Sequence, residues 1–236
     1  MNLITEQRLA RRAHILETAR ELITERGYHA TTVRDLAERC RVSVPTLYNQ
    51  FGGKDALLGA AIEDHFNRVV ASARLPRAEP GLPRLLAIID ACAQHILERA
   101  DYHRRLLDAF ASLDATQDIQ LRIAWRLVDI FETELRVLQK ERRLAAWADT
   151  ALLAGQLNAA IISSAMVWSS GHWPGNHLLA GMRYATGLVL GSVLRGAAGK
   201  RIETWTMDAQ AELTRARDTS AAADEHTSTR AGQRRP

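Results

Sequence analysis

A short segment near the amino terminus carries side chains suited to contacting a polyanion. Hydroxyl, amide and ammonium groups recur there at close spacing, on Thr32, Ser43, Thr46, Tyr48, Asn49, Gln50 and Lys54. Amide and short polar side chains can hydrogen-bond to base edges, and hydroxyls and ammonium groups to phosphate oxygens. Val44 and Pro45 lie among them and offer apolar contacts to thymine methyl groups. This set of side chains predicts contact with double-stranded DNA.

Two short helices are predicted to hold these side chains. Thr32 with Asp35 three residues later has the form of a capping box, and Ser43 with Pro45 in the following turn marks a second helix start. Arg41 and Val42 form the tight connection between them. Such a pair sets its second helix in the major groove while the first braces it. We expect a small core and an exposed face, with Leu36, Ala37, Val42, Leu47 and Phe51 inside and Val44, Pro45, Thr46, Asn49 and Gln50 outside.

The flanking sequence predicts one helix before this pair and a long helix after it. Apolar residues recur at helical spacing from Glu6 to Arg26, and Gly27 ends that helix. Gly52 and Gly53 break the second short helix, and Lys54 to Ala73 restarts as a long one. Three helices thus lead into a fourth.

The rest of the chain also has helical periodicity. Loops are predicted at Pro76 to Pro83 and at Gly171 to Gly175, where proline and glycine cluster. The predicted helices are Leu85–Leu97, Tyr102–Leu113, a long helix capped by Asp114 or Thr116 and ending near Arg143, Ala146–Ser170 and Asn176–Arg195. With 47% apolar and 6% aromatic residues, the composition suits packed helices, so the predicted fold class is all-α.

Composition and charge exclude little by themselves. The net charge of +4 and the isoelectric point near 9.4 are compatible with a nucleic-acid partner, but so mild an excess is common. The first five residues lack a signal-peptide layout, and no uninterrupted apolar run approaches the ~18 residues of a membrane span. A cytoplasmic location is predicted.

No motif for catalysis, metal or cofactor binding is present in the sequence. Cys40 and Cys92 lie outside any zinc or redox spacing and are interpreted as small buried hydrophobes. The pairs His95 with Glu98 and Asp101 with His103 are interpreted as surface polar residues. Since there is no paired Glu-x-x-His motif, glycine-rich phosphate loop or Gly-x-Ser-x-Gly elbow, we predict no enzyme and no cofactor.

The amino-terminal segment resembles the DNA-binding domain of the tetracycline-repressor (TetR) family. The resemblance spans residues 15–58 and rests on four stretches: Gly27-Tyr28, Thr31–Ala37, Val42–Phe51 and Lys54–Leu58. The chain departs from the family's common pattern at Val44-Pro45, at Gln50 before the phenylalanine, and at Arg41, where glycine is common. Operator sequence is therefore not transferable from relatives.

The resemblance implies a homodimer that binds a near-palindromic operator. In the family's pattern Thr32, Tyr48 and Lys54 match phosphate-contacting positions, and Val44, Pro45, Thr46 and Asn49 match base-reading positions. It further implies a ligand-responsive repressor that a small-molecule effector releases from DNA. The implied organisation is a three-helix helix-turn-helix domain at 1–55, a larger helical ligand-binding and dimerisation domain at 56–210, and a disordered tail at 211–236.

Two sets of residues in the larger domain are candidates for the implied roles. Small residues on the helices around 146–170 and 176–195 suit a four-helix dimer interface, or alternatively close packing within one subunit. The candidate ligand contacts are His103, Phe110, Trp125, Met166 and Trp168. A helical interaction scaffold and a bundle-type enzyme without DNA binding remain the alternative functions.

Overall fold

The computed structural model describes residues 3–72, 77–112, 117–173 and 177–232, and this part of the chain contains ten α-helices. The predicted all-α class is confirmed. The helices are α1 (Leu3–Arg26), α2 (Val33–Cys40), α3 (Val44–Phe51), α4 (Lys54–Ser72), α5 (Leu82–Glu98), α6 (Ala100–Ser112), α7 (Gln117–Lys140), α8 (Thr150–Ser169), α9 (Leu178–Gly191) and α10 (Gly196–Gly232).

The chain divides into two compact units. The first, which we call the head unit, comprises Met1–Arg74 and Arg99–Leu127, and the second, the bundle unit, comprises Leu75–Glu98 and Val128–Pro236. The head unit thus contains α1 to α4, α6 and the first part of α7, whereas the predicted helix-turn-helix domain spans 1–55.

Local signals in the first 53 residues produce the predicted helix boundaries. Gly27 ends α1 at a φ of 81°, a backbone conformation that costs glycine little. Thr32 and Asp35 form the capping box of α2, and Ser43 caps α3 by accepting a hydrogen bond from the Thr46 backbone N–H. Arg41 adopts the left-handed conformation between the two helices, with a φ of 54°. The turn therefore accepts a side chain where the family commonly has glycine.

The core of the head unit is built from aliphatic side chains on five helices. Leu22, Leu36, Leu47, Leu58 and Leu106 are all buried there, one each from α1, α2, α3, α4 and α6. Burying a side chain of this size contributes roughly 1.5–3 kcal/mol. α2 and α3 are only eight residues long, too short to be stable alone, so this packing holds them in place.

One charged side chain is also buried in the head unit. Arg20 on α1 is 1% exposed and donates hydrogen bonds to the Ala61 backbone carbonyl and to Asp64, both on α4. It donates a third to Glu17 on its own helix. Because a buried guanidinium needs partners for its donors, these bonds tie α1 to the middle of α4.

In the bundle unit several helix boundaries differ slightly from the predicted ones. α5 begins at Leu82, since Pro83 is tolerated in a first turn. α8 begins at Thr150 because Asp149 caps it by accepting from the Ala151 and Leu152 backbone N–H groups. The predicted caps of the long helix, Asp114 and Thr116, lie outside the described residues.

Two polar contacts stabilise the bundle unit. Arg183 on α9 forms a bidentate ion pair with Asp90 on α5, with N···O distances of 2.8 and 2.7 Å. The carboxylate of Glu134, which is 3% exposed, accepts a hydrogen bond from the Gly81 backbone N–H at 2.7 Å. A paired carboxylate can be buried in this way without a large desolvation penalty.

Residues 211–232, which the sequence predicts to be part of a disordered tail, form the last part of α10. Alanine and arginine are frequent in this segment, and both favour helix. The low content of large apolar groups indicated little core, but a helix that continues from Gly196 needs no new nucleation.

α8 is the one described helix long and apolar enough to cross a membrane by length and composition. Gln156 and Asn158 interrupt its apolar residues, and 44% of its apolar window is buried inside the molecule. It packs against α9 within the bundle unit, as a core helix does.

Candidate nucleic-acid interface

α3 presents the predicted DNA-contacting side chains unevenly. Pro45, Tyr48 and Asn49 are exposed, and Tyr48 keeps 50% of its surface accessible. Thr46 and Gln50 are half-buried. The exposed side chains lie at the start and in the middle of the helix, which are the parts that reach base edges in helix-turn-helix proteins.

Val44 does not lie on the fully exposed face as predicted. Its side chain is half-buried and packs against the core of the head unit, near Leu47 in sequence. As the first residue of an eight-residue helix, Val44 lies three residues before the buried Leu47 and therefore on nearly the same face. Of the predicted DNA-contacting side chains on α3, those of Pro45, Tyr48 and Asn49 are the exposed ones.

Two predicted phosphate ligands already have partners in the capping turns. The Thr32 hydroxyl donates to Asp35 Oδ2 at 2.6 Å and accepts from the Asp35 backbone N–H at 3.1 Å. Ser43 Oγ lies 2.7 Å from Thr46 Oγ1. A hydroxyl has one proton to donate, so Thr32 must turn away from Asp35 before it can donate to a phosphate.

The charge on Asp35 is stabilised by this arrangement. The hydrogen bond from the Thr32 hydroxyl, the one from the Thr32 backbone N–H and the nearby Arg26 guanidinium lower the pKa of the Asp35 carboxyl. Arg26 Nη1 lies 3.3 Å from Asp35 Oδ1. The Asp35 carboxyl therefore stays ionised and hydrogen-bonded in the capping turn of α2 at neutral pH.

Lys54 lies at the amino end of α4, beside the end of α3. Its ammonium is 4.7 Å from the centroid of the Tyr28 ring and 3.4 Å from the His29 backbone carbonyl, to which it donates. The Tyr28 hydroxyl in turn donates to Asp55. The ammonium is held over an aromatic face, and the Lys54 side chain remains half-exposed.

The structure adds two cations that the sequence analysis did not name as phosphate ligands. Arg34, in the first turn of α2, and Arg41, in the turn before α3, are both exposed, and neither forms an ion pair with a carboxylate within the described residues. Arg39 differs, because it is paired with Glu25 at 2.6 and 2.7 Å. Charge at the capping and turn positions was the sequence signal that could have identified Arg34 and Arg41.

The candidate ligand contacts are divided between the two units. In the head unit His103 is buried and Phe110 is half-buried against the core. In the bundle unit Trp168 is fully buried and Met166 half-buried. The side chain of Trp125 lies outside the described residues. These positions fit core residues as well as ligand contacts, since most helical aromatics are core.

The interpretation of His103 as a surface residue is wrong. It is 4% exposed, its Nδ1 lies 3.1 Å from the Arg99 backbone carbonyl, and its Nε2 lies 3.2 Å from Nε2 of His65. His65 is 38 residues away in sequence, so no local pattern could have identified the pair. Of the two cysteines, Cys40 is buried as predicted and Cys92 is half-buried.

Comparison with known proteins gives a consistent assignment. Residues 15–61 match the family model described as "Bacterial regulatory proteins, tetR family". The HTH-type transcriptional activator FasR of Mycolicibacterium smegmatis is 31% identical over 100 residues, which cover 42% of this chain and 46% of FasR. The HTH-type transcriptional repressor KstR of Rhodococcus jostii is 29% identical over 119 residues, covering 50% and 56%.

A solved structure extends the similarity over most of the chain. A TetR-family transcriptional regulator from Pectobacterium atrosepticum is 26% identical with a TM-score of 0.64, and the alignment covers 83% of this chain and 99% of that one. The chain spans about half the length of FasR and KstR. Residues 15–61 therefore match the amino-terminal domain of the tetR family of bacterial regulatory proteins, and the fold of the chain is similar to that of a TetR-family regulator.

Proposed function

We propose that this chain is a transcriptional regulator that inserts α3 into the major groove of an operator. The observation that carries the proposal is the exposure of Pro45, Tyr48 and Asn49 on a short, doubly capped helix whose other side is core. An exposed amide can make the bidentate contact that distinguishes adenine. Arg34, Arg41 and Lys54 supply positive charge for the flanking phosphates.

We propose further that the regulator binds as a homodimer through α8 and α9. Leu152 on α8 and Leu188 on α9 are 73% and 55% exposed, and Trp147 just before α8 is 72% exposed. Large apolar side chains left in water favour association with a complementary surface. A second copy with the same exposed side chains provides one under two-fold symmetry.

The glycines of α8 and α9 indicate which faces remain available. A Cβ at Gly181 would overlap the Trp173 ring, and one at Gly187 would overlap the Thr206 side chain, so these two glycines serve packing within the subunit. A Cβ at Gly155 or Gly191 would meet nothing within 4 Å. These two open glycines support close approach of another subunit.

The proposed regulation is release from DNA by a small molecule. Two half-sites one helical turn apart require recognition helices about 34–36 Å apart, and α4 follows each recognition helix directly. An effector that favours another spacing lowers operator affinity. To change the ratio of the DNA-binding state to the released state from 99:1 to 1:99, the effector must bind the released state more tightly by roughly 5.5 kcal/mol. We propose repression as the outcome, a cytoplasmic location, and no catalytic activity.

The first test is selection of binding sites from random duplexes, followed by footprinting. We expect a near-palindromic site whose affinity falls with increasing salt. Lys54→Ala should reduce the slope of log affinity against log salt concentration by about 1, as expected for the loss of one phosphate contact. Lys200→Ala is the matched control, since Lys200 is an exposed lysine of α10. Absence of any preferred duplex at low ionic strength would contradict the proposal.

The second test addresses the dimer. Leu152→Glu combined with Leu188→Glu should convert the protein to monomers in sedimentation experiments and weaken binding to the palindrome more than to a half-site. Met207→Glu is the control, because Met207 is 63% exposed on α10, outside the proposed interface. An unchanged dimer in the double variant would exclude this interface.

The third test separates repression and release from a scaffold role. A reporter driven by a promoter that carries the selected operator should be less active when the regulator is present. Compounds that raise the melting temperature of the protein are then added to the operator complex, and an effector should release the DNA. If no stabilising compound changes operator affinity, the effector part of the proposal fails while DNA binding stands.

A further inference from the structure

Two histidines meet inside the head unit, away from the surface that α3 presents. His65 lies on α4 and His103 on α6, and their Nε2 atoms are 3.2 Å apart. The ring centroids are 5.3 Å apart with the planes tilted by 50°. His103 is almost fully buried. DNA contact, as proposed above, makes no use of this pair.

The partners of the other ring nitrogens determine where the protons lie. His103 Nδ1 is 3.1 Å from the Arg99 backbone carbonyl, which can only accept, so this nitrogen carries the proton. In a neutral ring the unprotonated His103 Nε2 therefore faces His65 Nε2. His65 Nδ1 is 3.4 Å from the Tyr102 hydroxyl.

The distance between the two nitrogens also fits a shared metal ion. An ion bound to both nitrogens at roughly 2.0–2.1 Å would subtend an angle of about 100°, close to tetrahedral. Each imidazole that binds a metal needs a partner for its second ring nitrogen, and a backbone carbonyl is a common one. The Arg99 carbonyl is that partner for His103, and the Tyr102 oxygen can accept from His65.

We propose that His65 and His103 bind one divalent transition-metal ion through their Nε2 atoms. On binding, the His65 proton moves from Nε2 to Nδ1, where the Tyr102 oxygen accepts it, so both rings remain neutral. Water or an oxygen-bearing ligand fills the remaining coordination positions. Imidazole nitrogens favour ions such as Zn²⁺, Co²⁺, Ni²⁺ and Cu²⁺ over Mg²⁺ or Ca²⁺.

The ion has a structural consequence within the head unit. His65 lies in the second half of α4 and His103 in the first turn of α6. An ion bonded to both side chains links these two helices directly. Because it binds the folded chain and not the unfolded one, saturating metal stabilises the head unit by mass action.

The test uses the full chain without a histidine tag, freed of metal by a chelator and dialysed. Co²⁺ is titrated while its visible absorption bands are recorded, and Zn²⁺ binding is measured by calorimetry. We expect saturation at one equivalent. His65→Gln and His103→Gln should each weaken binding at least tenfold, and Tyr102→Phe by about tenfold through loss of the outer partner.

His14→Gln is the matched control, since His14 is an exposed histidine of α1 in the same unit, and it should bind as the wild type does. Because His103 is buried, a second readout covers a variant that fails to fold. Saturating Zn²⁺ should raise the melting temperature of the wild type and of His14→Gln, but not that of His65→Gln. No saturable binding by the wild type, or equal binding by His65→Gln, would overturn the proposal.

Discussion

The helix-turn-helix and the pair of helices α8 and α9 differ in what stabilises each of them. α2 and α3 depend on bonds made within three residues, such as Thr32 with Asp35 and Ser43 with Thr46. α8 and α9 depend on close approach to side chains distant in sequence, as Gly187 does to Thr206. Short polar helices need local caps, and long apolar helices need space for their neighbours.

The two regions also differ in what they leave exposed. α3 leaves a hydroxyl and an amide in water at Tyr48 and Asn49, whereas α8 and α9 leave large apolar groups there at Leu152 and Leu188. Polar groups suit a hydrated groove and apolar groups suit a protein partner. The contrast supports DNA contact by α3 and subunit contact by α8 and α9, and four measurements can test it.

The largest effect is expected from glycine replacements in α9 and α8. Alanine gains about 1 kcal/mol of helix propensity over glycine at either site. At Gly187 its Cβ would lie 3.0 Å from Thr206 Cβ and closer to the hydroxyl, whereas at Gly155 it meets nothing within 4 Å. Gly187→Ala should therefore be less stable than Gly155→Ala by about 1–3 kcal/mol.

Urea unfolding measures this difference in the monomeric background of Leu152→Glu with Leu188→Glu, because Gly155 lies on the proposed dimer face and dimerisation adds to stability. If Gly187→Ala and Gly155→Ala are equally stable, α9 and α10 can move apart to accommodate the added methyl group at little cost. Gly187 would then not be required for packing within the subunit.

The second prediction concerns sequence discrimination by α3. Asn49→Ala removes an exposed amide and should reduce the preference for one base position in each half-site by about tenfold, or ~1.4 kcal/mol. Ser163→Ala on α8 also shortens an exposed polar side chain and should leave base preference unchanged. Competition binding against duplexes with single base changes measures both. A uniform loss across all duplexes would reassign Asn49 to phosphate contact.

Sequence reasoning succeeded where a bond or conformation lies within a few residues. The caps at Thr32 and Ser43, the end of α1 at Gly27 and the turn at Arg41 all follow from side-chain chemistry and backbone sterics. These features place α3 and most of its exposed side chains. The predicted site residues themselves stay predictions until DNA binding is measured.

Sequence reasoning failed where the packing partner of a residue is remote in sequence. His103 was interpreted as a surface residue because its neighbour Asp101 is polar, yet packing of α6 against α4 brings it to His65. Val44 is a different case, because its packing against the core follows from local spacing: it lies three residues before the buried Leu47. As with His103, nothing local separates Gly187, which faces Thr206, from the open Gly155.

The third prediction compares one cap from each region. Ser43→Ala and Asp149→Ala each remove a helix N-cap and should each cost about 1 kcal/mol. In the eight-residue α3 this loss should speed amide hydrogen exchange along the whole helix, because it has few other bonds. In the 20-residue α8 only the first turn should exchange faster. Exchange measured by mass spectrometry distinguishes these patterns, and uniform protection of α3 in Ser43→Ala would show that tertiary packing alone maintains it.

The smallest effect is expected at Asp35, whose ionised form is stabilised mainly by hydrogen bonds within its own capping turn. Its pKa is lowered first by the Thr32 hydroxyl and only afterwards by Arg26, so Thr32→Val should raise it more than Arg26→Gln does. A carboxyl with a lower pKa in the folded state stabilises the fold at pH values above its unfolded pKa, and this contribution is lost as the pH falls towards the folded pKa. Asp35→Asn should remove that part of the acid sensitivity. Carbon-13 titration of the carboxyl by NMR measures each shift. A larger response to Arg26→Gln would mean that charge reaching across from α1, and not the capping bond, stabilises the start of α2.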